Sequence, residues 1–88
     1  MAGFRRENYC IRIRELDTKE DLITIFNVIR KTTRDENTQV IFSNEEEGLT
    51  YFISQTNGRF VAEALQKLWA LYDDLDVKTF KVEKKLEQ

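Results

Sequence analysis

Apolar and polar residues alternate strictly over residues 8–16, NYCIRIREL, with Tyr9, Ile11 and Ile13 on one side and Cys10, Arg12 and Arg14 on the other. A period of two marks a half-buried strand with one polar face. The period then changes to that of a helix. Leu22, Ile25, Phe26 and Ile29 recur at the spacing of one helical face. Ahead of them, Asp17-Thr18-Lys19-Glu20 reads as a capping box, with Asp17 accepting from the first turn and Glu20 reaching back. Arg30, Lys31 and Arg34 close the helix at the end where its dipole favours positive charge.

After the polar break Asp35-Glu36-Asn37, the segment TQVIFSN sets Val40 and Phe42 against Gln39, Ile41 and Ser43. Glu45-Glu46-Glu47-Gly48 reads as a hairpin loop in which Gly48 supplies a positive φ. GLTYFISQT is a third strand. Its more apolar set, Leu49, Tyr51 and Ile53, is expected to face the core and leave Thr50, Phe52 and Ser54 outside. Asn57-Gly58 breaks the chain before its longest patterned segment, Arg59 to Leu75. There Val61, Ala64, Leu65, Leu68 and Tyr72 form one apolar helical face, widened by Phe60, Trp69 and Leu71. Trp69, the only tryptophan, is expected at the centre of the packing. DVKTFKVEK predicts a fourth strand with Phe80 and Val82 inward, and residues 1–6 and 85–88 read as frayed tails.

The order β-α-β-β-α-β predicts an α+β, ferredoxin-like sandwich: a four-stranded antiparallel sheet in order 4-1-3-2, with two helices on one face. The competing arrangement places the last strand elsewhere, for instance paired across a dimer. With 88 residues, 41% of them hydrophobic, the chain suits a single domain with a modest core.

Composition narrows the chemistry. There is no histidine, the commonest general base and metal ligand. The glycines at 3, 48 and 58 are isolated, so no phosphate-cradling loop is present, and none follows strand 1 as it does in the acylphosphatases that share this fold. The lone Cys10 has no imidazole to activate it, although Arg12 and Arg14 would modestly favour its thiolate. The DDLD run at 73–76 lacks the ligand spacing of a calcium loop. The expectation is a non-enzymatic chain with no catalytic residue, metal or cofactor. One cysteine excludes an internal disulfide framework and points to a reducing compartment. With no long apolar run and no signal-peptide pattern in MAGFRRENYC, a cytoplasmic protein without membrane attachment is expected.

A net charge of −2 names no partner class, but the predicted fold sorts the charges. One end of the sandwich gathers Glu15, Asp17, Glu20 and Asp21, then Glu45, Glu46 and Glu47, then Asp73, Asp74 and Asp76. The other gathers Arg5, Arg6, Arg30, Lys31, Arg34, Arg59, Lys84 and Lys85. Asp73 and Asp74 would sit at the negative end of a helix dipole, at a cost of typically ~0.3–1 kcal/mol each. Local rules broken without compensation tend to mark functional sites. The primary expectation is therefore that Glu45, Glu46, Glu47, Asp73, Asp74 and Asp76 bind a basic protein partner, with a nucleic-acid-handling protein among the candidates, making the chain an inhibitor or adaptor. The blander alternative is a set of solvated turn residues.

The outer face of the sheet is the second candidate. Arg12, Arg14, Phe52 and Lys81 are expected to project from it, near Cys10, Ile41 and Thr79. An aromatic among cations is the minimum for stacking a base and holding its phosphates. The topology and the face used are similar to those of the RNA-recognition-motif family, although LTYFISQT lacks that family's glycine- and aromatic-rich strand signature. Single-stranded nucleic acid is thus the alternative ligand. A homodimer through the same face is the other possibility, favoured by Ile41, Phe52 and Val77. Charge weighs against nucleic acid: residues 35–76 hold nine acidic side chains against Arg59 and Lys67.

Overall fold

The computed structural model describes residues 6–16, 18–43 and 48–83. Its elements are β1 (Glu7–Arg14), α1 (Lys19–Thr33), β2 (Gln39–Phe42), β3 (Leu49–Thr56), α2 (Gly58–Leu71) and β4 (Asp76–Val82). Local chemistry explains their ends. The Thr18 hydroxyl accepts from the Asp21 amide at 3.0 Å and caps α1, one residue later than the expected cap at Asp17, which lies outside the described residues. Asn57 caps α2 by accepting from the Phe60 amide at 3.0 Å. Helix α1 ends on Arg34 in the left-handed region, φ 60°, with the Asp35 amide returning to the Arg30 carbonyl. A non-glycine residue there is strained, and the Arg34 guanidinium lies 4.1 Å from the Phe60 ring centroid, a cation–π contact that offsets part of the cost.

The four strands pair antiparallel in the order β2-β3-β1-β4, the sheet predicted from the element order. Ile11 and Ile13 of β1 and Phe52 of β3 pack with Ile25 and Ile29 of α1 and with Val61, Ala64 and Leu68 of α2. Both helices therefore cover one face of the sheet and leave the other open. Gly48 takes the expected positive φ of 62° before β3. Among the described residues no helix is long and apolar enough to cross a membrane.

The registers overturn the facing assigned to two strands. Opposed residues share a face, and Cys10 lies opposite both Ile53 and Phe80, while Arg12 lies opposite Tyr51 and Lys78. Since Ile11 and Ile13 face the helices, the open face carries Leu49, Tyr51 and Ile53 of β3 and Lys78, Phe80 and Val82 of β4. Phe52 is fully buried on the helix side rather than exposed, and Val77 also packs there. Lys81 lies on that side too, paired with Glu7 at 3.3 Å.

The reason is polar satisfaction. The inward positions of β3 include Thr50, Ser54 and Thr56, all buried. The Thr38 and Ser54 hydroxyls are 2.7 Å apart, Thr33 donates to the Ile29 carbonyl, and Thr56 donates to the Thr33 carbonyl at 2.9 Å. These bonds bind the end of α1 to the sheet, so burying hydroxyls here leaves no donor orphaned. A hydropathy reading of β3 picks the wrong side because it counts those hydroxyls as solvent-seeking. Trp69 is also misplaced by composition alone. It is 42% exposed and donates its indole N–H to the Leu75 carbonyl at 2.9 Å, pinning the α2–β4 turn instead of filling the core.

Candidate functional site

Three chain segments meet at the end of the sandwich where β1 runs out. The Glu15 amide donates to the Gly48 carbonyl at 2.8 Å, and the Tyr72 hydroxyl donates to the Asp21 carboxylate at 3.1 Å. These bonds tie the β1–α1 turn to the start of β3 and the start of α1 to the end of α2. Burial first, then the hydrogen bond to Asp21 and its charge, push the Tyr72 phenol above its ordinary pKa, so it remains a donor. Between the β1–α1 and α2–β4 connections lies a cleft of about 430 Å³ lined by Glu15, Asp21, Asp73, Asp74 and Asp76, with Leu16, Ile25, Leu71, Tyr72 and Leu75 as its apolar part.

The predicted acidic residues thus come together in part. Asp73 and Asp74 are exposed in the α2–β4 turn, and Asp76 opens β4 with its carboxylate 3.4 Å from Arg14. Glu45, Glu46 and Glu47 lie outside the described residues. Glu15 and Asp21 line the same cleft although they were not among the chosen binding residues; the β1–α1 turn that follows from the topology was the available signal. Among the described residues Arg14 is the sole cation lining the cleft, and its ion pair with Asp76 leaves the other described carboxylates without a basic lining residue. Among the described residues no three histidine, cysteine or acidic side chains sit close enough to hold a metal ion. The described carboxylates make a negative field.

The opposite end is mixed where a basic pole was expected. Arg6 reaches the Gln55 carbonyl, Arg30 lies over Phe26 and Arg34 over Phe60. Asp35 sits among them, accepting from the Asn37 and Gln55 amides, and Glu7 pairs with Lys81. Arg5, Lys84 and Lys85 lie outside the described residues. The polarity is real at the acidic end and diluted at the other.

The open face holds Arg12 and Arg14, as expected, but its aromatics are Tyr51 and Phe80, not Phe52, and its further cation is Lys78, not Lys81. Phe80 and Ile41 are 45% and 47% exposed, so this face is substantially apolar in solvent. Cys10 at its centre is buried between the rows of Ile53 and Phe80. Burial raises its pKa and outweighs the opposing charge of Arg12, so the modest thiolate-favouring effect expected of the arginines does not prevail.

No family model matches the chain, and no curated protein matches it. Solved structures do. The uncharacterized protein TM1266 from Thermotoga maritima aligns with a TM-score of 0.58 at 15% identity, over 89% of this chain and 99% of that one. The apo form of CPII from Thiomonas intermedia K12, a nitrogen regulatory PII-like protein, aligns with a TM-score of 0.52 at 13% identity, over 91% and 95%. At these identities the likeness is one of fold, and it supports the ferredoxin-like α+β architecture over nearly the whole chain.

Proposed function

We propose that this chain is a non-enzymatic protein-interaction module of the cytoplasm that presents its acidic end to a basic protein partner and acts as an inhibitor or adaptor. The observation that carries this reading is the convergence of five carboxylates, from the β1–α1 turn with the start of α1 and from the α2–β4 turn, on one cleft where Arg14 is the only lining cation among the described residues. Such a field steers a basic surface into place and selects against acidic ones, raising the association rate and the specificity more than the final affinity. The apolar Leu71, 56% exposed beside the carboxylates, gives a docked partner something to desolvate. A regulatory role is compatible with a scaffold that CPII also uses, although a shared scaffold does not transmit function.

Charge reversal tests the reading. A D73K/D74K double variant should lose the partner that the wild-type chain captures from a lysate of its source organism. Its melting temperature should be unchanged or slightly raised, since cations now stand at the negative end of α2. Capture of the same protein by both chains, with both folded, would refute the acidic end as the docking surface.

A further inference from the structure

The open face combines three features that the acidic-end reading does not use. First, among the described residues it carries one more positive than negative charge on a negative chain: Arg12, Arg14 and Lys78 stand against Asp76 and, in the pocket at its β2–β3 side, Asp35, and Arg14 is paired with Asp76. Neither Arg12 nor Lys78 has a carboxylate partner among the described residues. Second, it displays two aromatics, Tyr51 on the central β3 and Phe80 on the edge strand β4. They lie two strands and one side-chain repeat apart, roughly 12 Å, which leaves room for a flat ring on each. Third, Asn8, Asn37, Gln39 and Gln55 line a pocket of about 220 Å³ beside Ile53. The Asp35 carboxylate in that pocket is engaged by two backbone amides, while none of the four carboxamides has a side-chain partner among the described residues. Solvent-accessible carboxamides next to an apolar row present paired donors and acceptors of the kind that read base edges.

A second copy of the chain fits this face poorly. The face is small: β2 spans four residues and the other strands seven or eight. Stacking two such faces would offer unpaired Arg12 and Lys78 only Asp76, already paired with Arg14, and Asp35, already held by two backbone amides, among the described carboxylates of the face. The complementary ligand is anionic, carries flat apolar rings and has hydrogen-bonding edges.

We propose that the open face binds single-stranded nucleic acid, with bases stacked on Tyr51 and Phe80, phosphates held by Arg12 and Lys78, and a base edge met by the carboxamides of Asn8, Asn37, Gln39 and Gln55. Tyr51 and Phe80 offer stacking positions for two bases. Arg12, the direct neighbour of both Tyr51 and Lys78 in the register, lies between the two halves of the platform.

Fluorescence anisotropy with labelled mixed-sequence RNA and DNA of about 12 nucleotides, at about 50 and 200 mM salt, tests the assignment. The chain should bind at the lower salt and more weakly at the higher. Tyr51→Ala and Phe80→Ala should each weaken binding roughly 5- to 150-fold, the usual effect of removing a stacking partner. Lys78→Ala should lower the slope of log affinity against log salt by about one. Phe80 and Lys78 are exposed, so these variants should retain the wild-type melting curve. The D73K/D74K chain should keep its dependence on Phe80, which separates this face from the acidic end. No binding at 50 mM salt, or equal binding by wild type and a folded F80A/K78A variant, would overturn the proposal. So would a wild-type dimer in sedimentation equilibrium that Phe80→Glu converts to monomer, since a second copy would then own the face.

Discussion

β1 and β3 lie side by side in the sheet, carry the same two-residue alternation, and resolve it in opposite senses. β1 turns Ile11 and Ile13 to the helices and Arg12 and Arg14 to solvent. β3 turns Leu49, Tyr51 and Ile53 away from the helices and keeps three hydroxyl residues inside with Phe52. Burial of a polar group is unfavourable only when its hydrogen bonds are lost. On β1 an inward arginine would have had no partner. On β3 each inward hydroxyl near the end of α1 finds one. The consequence reaches function, because the side of β3 that looks like core is the side left open for a ligand.

The largest expected effect follows directly from that contrast. Phe52→Ala should lose about 3–5 kcal/mol of stability, as for a large ring removed from a packed core, whereas Tyr51→Ala, one residue away, should lose roughly 1 kcal/mol or less. Urea denaturation of the two variants is the check, and equal losses would break the assignment of faces. The hydroxyl network comes next. Ser54→Ala should cost about 1–3 kcal/mol by stripping a partner from Thr38 and Thr33. A neutral result would mean that the hydroxyls merely occupy space.

The smallest effect concerns Cys10, which faces outward in the pleat and is nonetheless buried. Its folded pKa is raised by burial, so its protonated form is favoured in the native state. Its contribution is therefore complete below the ordinary thiol value near 9 and is lost as the pH rises through the higher folded value. Stability should fall on the alkaline side, and Cys10→Ala should flatten that limb of the stability–pH curve while leaving the neutral region's shape unchanged. An alkaline limb that is the same in both chains would assign the loss to other groups.

Much of the candidate site was legible in outline. The acidic segments were identifiable as sequence runs, and the topology placed Asp73, Asp74 and Asp76 with the β1–α1 turn. The open-face residues were only half legible: Arg12 and Arg14 follow from the sign of β1, where charge leaves no choice. Tyr51, Lys78 and Phe80 required the sign of β3 and β4. A strand pattern defines two sets of residues but not which set faces in, and a shift of one residue exchanges them.

The sequence by itself determined the order of elements, the strand order it implies, the apolar stripe of α1, the buried Phe60, Val61, Ala64 and Leu68 of α2 but not the exposure of Trp69 and Leu71 assigned to the same face, and the glycine before β3. These follow from local physics: a 3.6-residue period has only one apolar side, and a positive φ has a preferred residue. Only the tertiary structure decided which face of β3 and β4 is buried, that Trp69 pins a turn, and that the basic end is interleaved with Asp35 and Glu7. Those outcomes depend on partners distant in sequence: the strand opposite, the carbonyl six residues on, the helix end that accepts a buried hydroxyl. No alternation within a single strand records them.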